Sequence, residues 1–374
     1  MKKIALIGST GSIGTQVLSV VSKHPDKFKV ISISAGENKD LFLKQVKEFS
    51  PKVATLKSEI DVSQFNNTEF YFGKDAFLNA VISEADLVVV SLVGFTGLKA
   101  VIKAIELKKD VALANKESLV LGGKLVTSLA KQQGVKILPI DSEHSAVWQA
   151  LNFDFNANFK KIILTASGGA LRDWDLNSLK NARAKDALNH PNWVMGKKIT
   201  VDCATLVNKA FEVVEAKWLF NASFENIEVV LHFESIIHSM VEFNDGAVMA
   251  QLSSPNMELP ISLALSYPNR IETNVTPLNF VALGSLTFND VDNERYPCFK
   301  TAVEAAKKGK AYSAVLNGAN EKAVELFLKD KITFGQIEYA LKKALDSFTG
   351  GDETTYQGLE LAQSFGENIV LETF

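Results

Sequence analysis

Lys3-Ile4-Ala5-Leu6-Ile7-Gly8-Ser9-Thr10-Gly11-Ser12-Ile13-Gly14 runs from an apolar stretch into a glycine-rich turn and on into a segment of helical period. Strand, tight turn and helix in that order make the first βα unit of a parallel sheet. Glycines let the backbone approach a pyrophosphate, and the first N–H groups of the helix carry partial positive charge toward it. The spacing GxxGxxG is a variant of the commoner GxGxxG fingerprint. A ligand-free strand-to-helix turn reads alike over these residues. A strand before, a helix after and a second strand ending about 20 residues on favour a dinucleotide.

Outward from this turn, short apolar runs alternate with helix-period segments over roughly the first 140 residues. Strands are expected at 3–7, 30–34, 53–56, 87–91, 111–114 and 137–140, and helices at 13–22, 41–49, 98–107 and 119–133. That alternation predicts a Rossmann-like, doubly wound parallel sheet over 1–145. From 146 to 265 the character changes to an α+β catalytic and dimerisation domain, with strands at 161–166, 227–231, 239–243 and 247–252 around a helix at 205–219. Within it, about 168–198 is expected to be a mobile loop, too rich in aromatic and polar residues for a plain linker. Residues 266–293 read as a linker. A small C-terminal helical bundle is expected over 294–374, with helices at 298–308, 314–329, 334–347 and 356–365, and with Gly309, Gly335 and Gly350-Gly351 as breaks. The fold class is therefore α/β.

The 374 residues carry 47% hydrophobic and 22% charged side chains, an ordinary globular balance. A net charge of -3 gives no long-range attraction for nucleic acid or an anionic membrane. Two cysteines without a CxxC argue against a disulfide framework or structural zinc. The opening apolar run is too short for a secretory leader, and no stretch approaches a membrane span. A cytoplasmic location follows as the expectation.

The acid Glu37, just past the second strand, argues for the ribose 2′-OH of NAD, whereas Lys39 and Asn38 could serve the 2′-phosphate of NADP. The choice stays open on these residues alone. Asp141-Ser142-Glu143-His144 lies at a strand end, where open α/β sheets place their ligands. In an extended segment Asp141 and Glu143 share a side and suit a hard divalent cation. The competing reading is a helix start, with Asp141 or Ser142 as cap and Glu143 in the first turn. Asn208, Lys209 and Glu212 share a helix face: either phosphate and metal groups, or a solvated polar face. Ser167-Gly168-Gly169 is a phosphate-binding turn or merely a turn. Lys116, at another strand end, is a substrate contact or a surface ion-pair partner. His190-Pro191-Asn192-Trp193 is a closing lid or a static aromatic anchor.

Each element is ambiguous alone, but their order is not. The series GSTGSIG, ALANKES, PIDSEHSA, TASGG, HPNWVMGKK, DCATLVNKAFE and SIIHSMVEF resembles the 1-deoxy-D-xylulose 5-phosphate reductoisomerase family over essentially the whole chain. The resemblance implies an NADPH-dependent enzyme that rearranges and reduces a phosphorylated sugar, with a divalent cation (Mg²⁺, Mn²⁺ or Co²⁺), as a homodimer. It implies Asp141, Glu143 and Glu212 as metal ligands, and Ser142 and Lys116 as contacts to the substrate backbone. Ser167, Cys203, Asn208 and Lys209 would hold the phosphate, with His190 nearby and Trp193 and Met195 on the closing loop. Thr10, Gly11, Ser12, Ile13, Gly36, Glu37, Asn38, Asn115, Glu117 and Gly196 would line the NADPH site. Cys203 departs from the family's usual serine, and a thiol donates more weakly than a hydroxyl. Glu37 stands where a basic or small residue is common. Two rivals remain at this stage: an aldehyde or semialdehyde dehydrogenase using Cys203 as nucleophile, and a nucleotide-sensing regulator that keeps the fold without catalysis.

Overall fold

Ile4, Ala5, Leu6 and Ile7 have no solvent exposure, as befits a strand covered on both faces of a parallel sheet. The computed structural model describes residues 1–193 and 195–374 and divides into two compact units. The first comprises 1–118, 126–145 and 256–275. Its elements are β1 (Lys2–Ile7), α1 (Ser12–Lys23), β2 (Phe28–Ala35), α2 (Lys39–Phe49), β3 (Val53–Leu56), β4 (Glu69–Phe72), β5 (Leu87–Val90), α3 (Thr96–Glu106), β6 (Asp110–Leu113), α4 (Glu117–Gln133) apart from 119–125, β7 (Ile137–Pro139) and the first turn of α5 (Ser142–Ala150). The seven strands are parallel and ordered β4-β3-β2-β1-β5-β6-β7. The strand order reverses at β1, so the glycine turn after it lies at the topological switch point, where such sheets bind ligands.

Two features of this unit differ from the sequence expectation. Strand β4 was not anticipated: Glu69-Phe70-Tyr71-Phe72 is an edge strand with no buried-exposed alternation to reveal it. Phe70 and Phe72 instead stack on each other, their ring centroids 6.3 Å apart. The expected boundary at 265, followed by a linker, also gives way. Residues 256–275 complete the first unit, through the Lys23–Glu258 ion pair at 2.8 Å and the Lys2 ammonium donating to the Leu265 carbonyl at 2.7 Å.

The second unit comprises 119–125, 146–255 and 276–374. Its sheet joins β8 (Lys161–Ala166), β9 (Ile227–Leu231), β10 (Ile237–Glu242), β11 (Val248–Leu252) and the short β12 (Asn289–Asp290) in the order β11-β10-β8-β9-β12. Only β8 and β9 pair in parallel. The stretch after β8 contains α6 (Leu176–Leu179) and α7 (Ala184–Ala187), and leads to α8 (Lys197–Ala204) and α9 (Val207–Leu219). The single helix expected at 205–219 is thus the second of a pair, broken at Leu206, whose φ is 56°. After α10 (Glu258–Ser266), which belongs to the first unit, and α11 (Phe280–Leu283), the chain closes with α12 (Pro297–Lys308), α13 (Tyr312–Leu328), α14 (Phe334–Asp346) and α15 (Tyr356–Thr373). Gly335 is no break but the second residue of α14, capped by Thr333 and Gln336. Helix α15 runs past its expected end because Gly366 is a packing glycine: a Cβ there would stand 2.1 Å from the Val315 carbonyl oxygen. Among the described residues no helix is long and apolar enough to cross a membrane.

Candidate functional site

The glycine turn is built by backbone bonds. Gly8 adopts φ +101°, a conformation open to glycine, and its N–H donates to the Ser34 carbonyl at 3.1 Å. Ser9 N–H shares that acceptor at 2.7 Å. Gly14 lets helix α1 start against the turn, since a Cβ there would lie 2.1 Å from Gly8 O. Gly11 takes the N-cap position of α1 without any side-chain cap, leaving the first N–H groups of that helix for another acceptor. The Ser9 hydroxyl is fully buried with no hydrogen-bond partner among the described residues. Thr10, Gly11, Ser12 and Ile13 form this turn and the start of α1.

Gly36, Glu37 and Asn38 follow β2 and lead into α2. The Asn38 side chain caps that helix by accepting from Leu41 N–H at 3.2 Å. Glu37 pairs with Lys57, which follows the neighbouring strand β3, at 2.6 Å. Asn115 is 1% exposed, and its amide donates to the carbonyls of Leu92 and Gly94 at 3.0 Å each and to the Glu117 carboxylate at 2.8 Å. Asn115 and Glu117 therefore tie the loop after β5 to the start of α4.

Lys116 and Asp141 meet at 2.7 Å, with side-chain exposures of 11% and 13%. Asp141 takes the N-cap position of α5, its carbonyl accepting from Ser145 N–H at 2.9 Å. Glu143 lies in the first turn and accepts from the Ser142 hydroxyl at 2.6 Å. Of the two geometries left open for Asp141 and Glu143, the helix start is the one found, because the chain turns into α5 directly after Asp141. Acids at a helix N-terminus are stabilised by its dipole.

In the second unit, β8 ends at Ala166; Ser167 follows it, and then Gly168 and Gly169 with positive φ. A Cβ on Gly169 would come within 2.6 Å of the Cys203 carbonyl oxygen and Ala204 Cα; this close approach brings the turn against the last turn of α8. The Gly168 carbonyl accepts from the Tyr296 hydroxyl at 3.0 Å. Arg172 donates to the Ser167 carbonyl at 3.0 Å and covers the Phe233 ring at 4.5 Å.

His190 is oriented by its own loop. Its Nδ1 accepts from the N–H groups of Asn192 and Trp193 at 3.1 and 3.0 Å. With Nδ1 an acceptor, the ring proton is on Nε2, which donates to the Ser167 hydroxyl oxygen at 2.9 Å. Ser167 keeps its own proton to donate elsewhere. Burial, and then the nearby Arg172 charge, push the His190 pKa down to about 4, so the ring is neutral at physiological pH. Asn192 fixes this loop to Phe233 O at 2.6 Å and Ser235 Oγ at 2.8 Å, and the Trp193 and His238 ring centroids are 6.2 Å apart. Met195 and Gly196 lead into α8, where Gly196 is the N-cap.

One of the two sequence readings of helix α9, the solvated polar face, fails. Asn208, Lys209 and Glu212 are 8%, 4% and 1% exposed, so this is no solvated face. Lys209 and Asn208 both donate to the Glu212 carboxylate. Burying charges is costly even when they are paired.

Sequence reasoning missed Arg172, Tyr296 and a buried network around Asp202. Asp202, 2% exposed, accepts from Lys198 at 2.9 Å and from the Asn320 amide at 2.8 Å. The i,i+4 spacing of Lys198 and Asp202 was a legible signal; Asn320, more than a hundred residues on, carried none.

Three family models match the chain: 1-deoxy-D-xylulose 5-phosphate reductoisomerase over residues 4–123, its C-terminal domain over 137–220, and the DXP reductoisomerase C-terminal domain over 252–366. The 1-deoxy-D-xylulose 5-phosphate reductoisomerase 1 of Bacillus thuringiensis subsp. konkukian (strain 97-27) is 47% identical over 357 residues, spanning 93% of this chain and 92% of that protein. A crystal structure of DOX-P reductoisomerase in complex with NADPH, fosmidomycin and magnesium superposes with a TM-score of 0.94 at 36% identity, covering 100% of this chain and 98% of that one. The enzyme from Zymomonas mobilis in complex with NADPH gives a TM-score of 0.91 at 35% identity, with coverages of 100% and 98%.

Proposed function

The chain belongs to the 1-deoxy-D-xylulose 5-phosphate reductoisomerase family, and on that premise we propose that it converts 1-deoxy-D-xylulose 5-phosphate to 2-C-methyl-D-erythritol 4-phosphate with NADPH and a divalent cation. This is the reductive rearrangement of the non-mevalonate route to isoprenoid precursors. The aldehyde-dehydrogenase and regulator readings are set aside, since family membership extends over the whole chain.

The observation that carries this reading is the buried polar face of α9, where Glu212 is held by Lys209 and Asn208 at almost no exposure. Asp141, Glu143 and Glu212 are assigned as the ligands of the cation, an all-carboxylate set suited to Mg²⁺, Mn²⁺ or Co²⁺. A cation held there would supply charge stabilisation at the substrate's oxygens, and bound NADPH would supply the hydride.

The chain's own residues bind and orient. The α1 N-terminus and the glycine turn hold the pyrophosphate. Asp141 and Glu212 each have a lysine of their own unit beside them, Lys116 and Lys209. Each lysine neutralises its acid in this structure; Lys116, with Ser142, would serve the substrate's oxygens, and Lys209 its phosphate. Ser167, oriented by the neutral His190, and Asn208 complete the phosphate site. The loop bearing Trp193 and Met195 closes over the substrate, and phosphate binding energy drives that closure and excludes water. No side chain forms a covalent bond to the substrate.

A homodimer in the cytoplasm belongs to the same reading. The edge strand β11 exposes Val248 and Met249 at 51% and 53%, and an apolar sheet edge calls for a cover; we assign the subunit interface there.

Purified protein with deoxyxylulose phosphate and Mn²⁺ should oxidise NADPH, stop on adding chelator and resume when metal is restored. Oxidation indifferent to chelator would reject the reading. Cys203→Ser tests the phosphate site. A hydroxyl in place of the thiol gains about 0.5–1 kcal/mol toward the phosphate. The KM for the sugar phosphate should therefore fall about twofold to fivefold at unchanged kcat. An unaltered KM would take Cys203 out of that site.

A further inference from the structure

We propose that Lys57 is the residue that selects NADPH over NADH, by holding the cofactor's 2′-phosphate in place of its paired acid Glu37. The proposal rests on the NADPH reading above and adds a residue to it.

At the end of the second strand of such sheets an acid takes the ribose 2′-OH of NAD and repels a 2′-phosphate, whereas a basic residue accepts it. Here that position is Glu37, which by itself would favour the wrong cofactor. The structure supplies the missing cation from the next strand. Strands β2 and β3 run parallel with Ala35 opposite Leu56, so both end at the same edge, Gly36-Glu37 beside Lys57. The Lys57 ammonium meets the Glu37 carboxylate at 2.6 Å.

Lys57 is held firmly at its backbone. Gly73 N–H donates to the carbonyls of both Leu56 and Lys57, at 3.2 and 3.1 Å. The polar groups beside Glu37 on the chain belong to the start of α2. The Asn38 side chain caps α2, and Lys39 is the first residue of that helix, its N–H bonded to the Glu37 carbonyl at 2.9 Å.

The ion pair is exposed, with side-chain exposures of 56% for Lys57 and 68% for Glu37. Such pairs contribute little in water, and their partners exchange readily. A phosphate monoester carries about two negative charges near neutral pH, against one for a carboxylate. It therefore displaces Glu37 from Lys57, and Glu37 turns to solvent. With NADH no such competitor arrives, the pair persists, and Lys57 contributes nothing to the ribose. The pair is thus a charge-compensated selector: Glu37 alone would read the hydroxyl, and Lys57 reverses it.

Binding titrations of the full chain, read by NADPH and NADH fluorescence and by calorimetry with 2′,5′-ADP and 5′-AMP, test the proposal in wild type, Lys57→Gln, Glu37→Gln and the double variant. Lys57→Gln should weaken NADPH and 2′,5′-ADP about tenfold, the scale of one charge-assisted hydrogen bond, and leave NADH and 5′-AMP within about twofold. The loss should persist in the Glu37→Gln background, because Lys57 contacts the phosphate itself. Equal losses for phosphorylated and unphosphorylated ligands, or no loss, would overturn the proposal. So would a loss that vanishes once Glu37 is neutral, since Lys57 would then only mask the acid. Wild type that binds 2′,5′-ADP no better than 5′-AMP would instead reject the NADPH reading, and the proposal with it. The variants lie at an exposed pair outside the sheet core, so loss of folding does not confound the comparison.

Discussion

Glu212→Gln should lower kcat by about 10³-fold while NADPH binding stays as in wild type. A bound cation of this kind supplies several kcal/mol of charge stabilisation as the reaction proceeds, and about 4 kcal/mol corresponds to that factor. The amide keeps the volume of the carboxylate but removes its charge, which weakens the hold on the ion and takes one counter-charge from Lys209, 4% exposed. A buried charge that loses its partner destabilises a fold, so the melting temperature must be recorded beside the kinetics. Asp141→Asn is the companion variant: its lysine, Lys116, is a little more exposed, so the same kinetic loss is expected with a smaller thermal penalty. Turnover of Glu212→Gln within tenfold of wild type, with unaltered metal dependence, would remove Glu212 from the ligand set.

Gly14→Ala should weaken NADPH binding about tenfold to a hundredfold and lower the melting temperature. A methyl group at this position has its nearest neighbours in backbone, the Gly8 oxygen at 2.1 Å and Ser9 Cα at 2.8 Å, and backbone cannot rotate aside as a side chain does. Relief requires α1 to move off the turn, which costs about 1–3 kcal/mol and displaces the helix N-terminus from the phosphates it serves. Fluorescence titration with NADPH and a thermal melt check it; wild-type values for both would mean the turn is more yielding than its contacts indicate.

The sheet of the first unit was legible because each central strand is a short apolar run bounded by turn residues, and because glycine and helix follow the first of them at diagnostic spacing. Its edge was not: Glu69–Phe72 owes its strand to pairing with β3, a long-range fact without local periodicity. The acids of the candidate site were legible as residue types, but their local geometry was open. Asp141 and Glu143 read equally as extended chain or helix start, and the helix start prevailed. The α9 face is the converse case. Asn208, Lys209 and Glu212 make the pattern of a solvated helix, and only burial by other elements marks it as something else. The Asp202–Asn320 contact was beyond reach for the same reason, since nothing local to either residue announces the other. Motif order over the whole chain compensated for these ambiguities, because it joins segments that local propensity leaves separate.

The first unit is assembled from three stretches of chain, the last being 256–275. On the ribosome, its parallel sheet can therefore be translated in full yet lack the α10 segment that the Lys2 ammonium and Lys23 bind. At about 5–20 residues per second, the wait from residue 145 to residue 275 lasts on the order of ten seconds. During that interval the nascent nucleotide-binding half carries an uncovered flank, closed only when α10 is made.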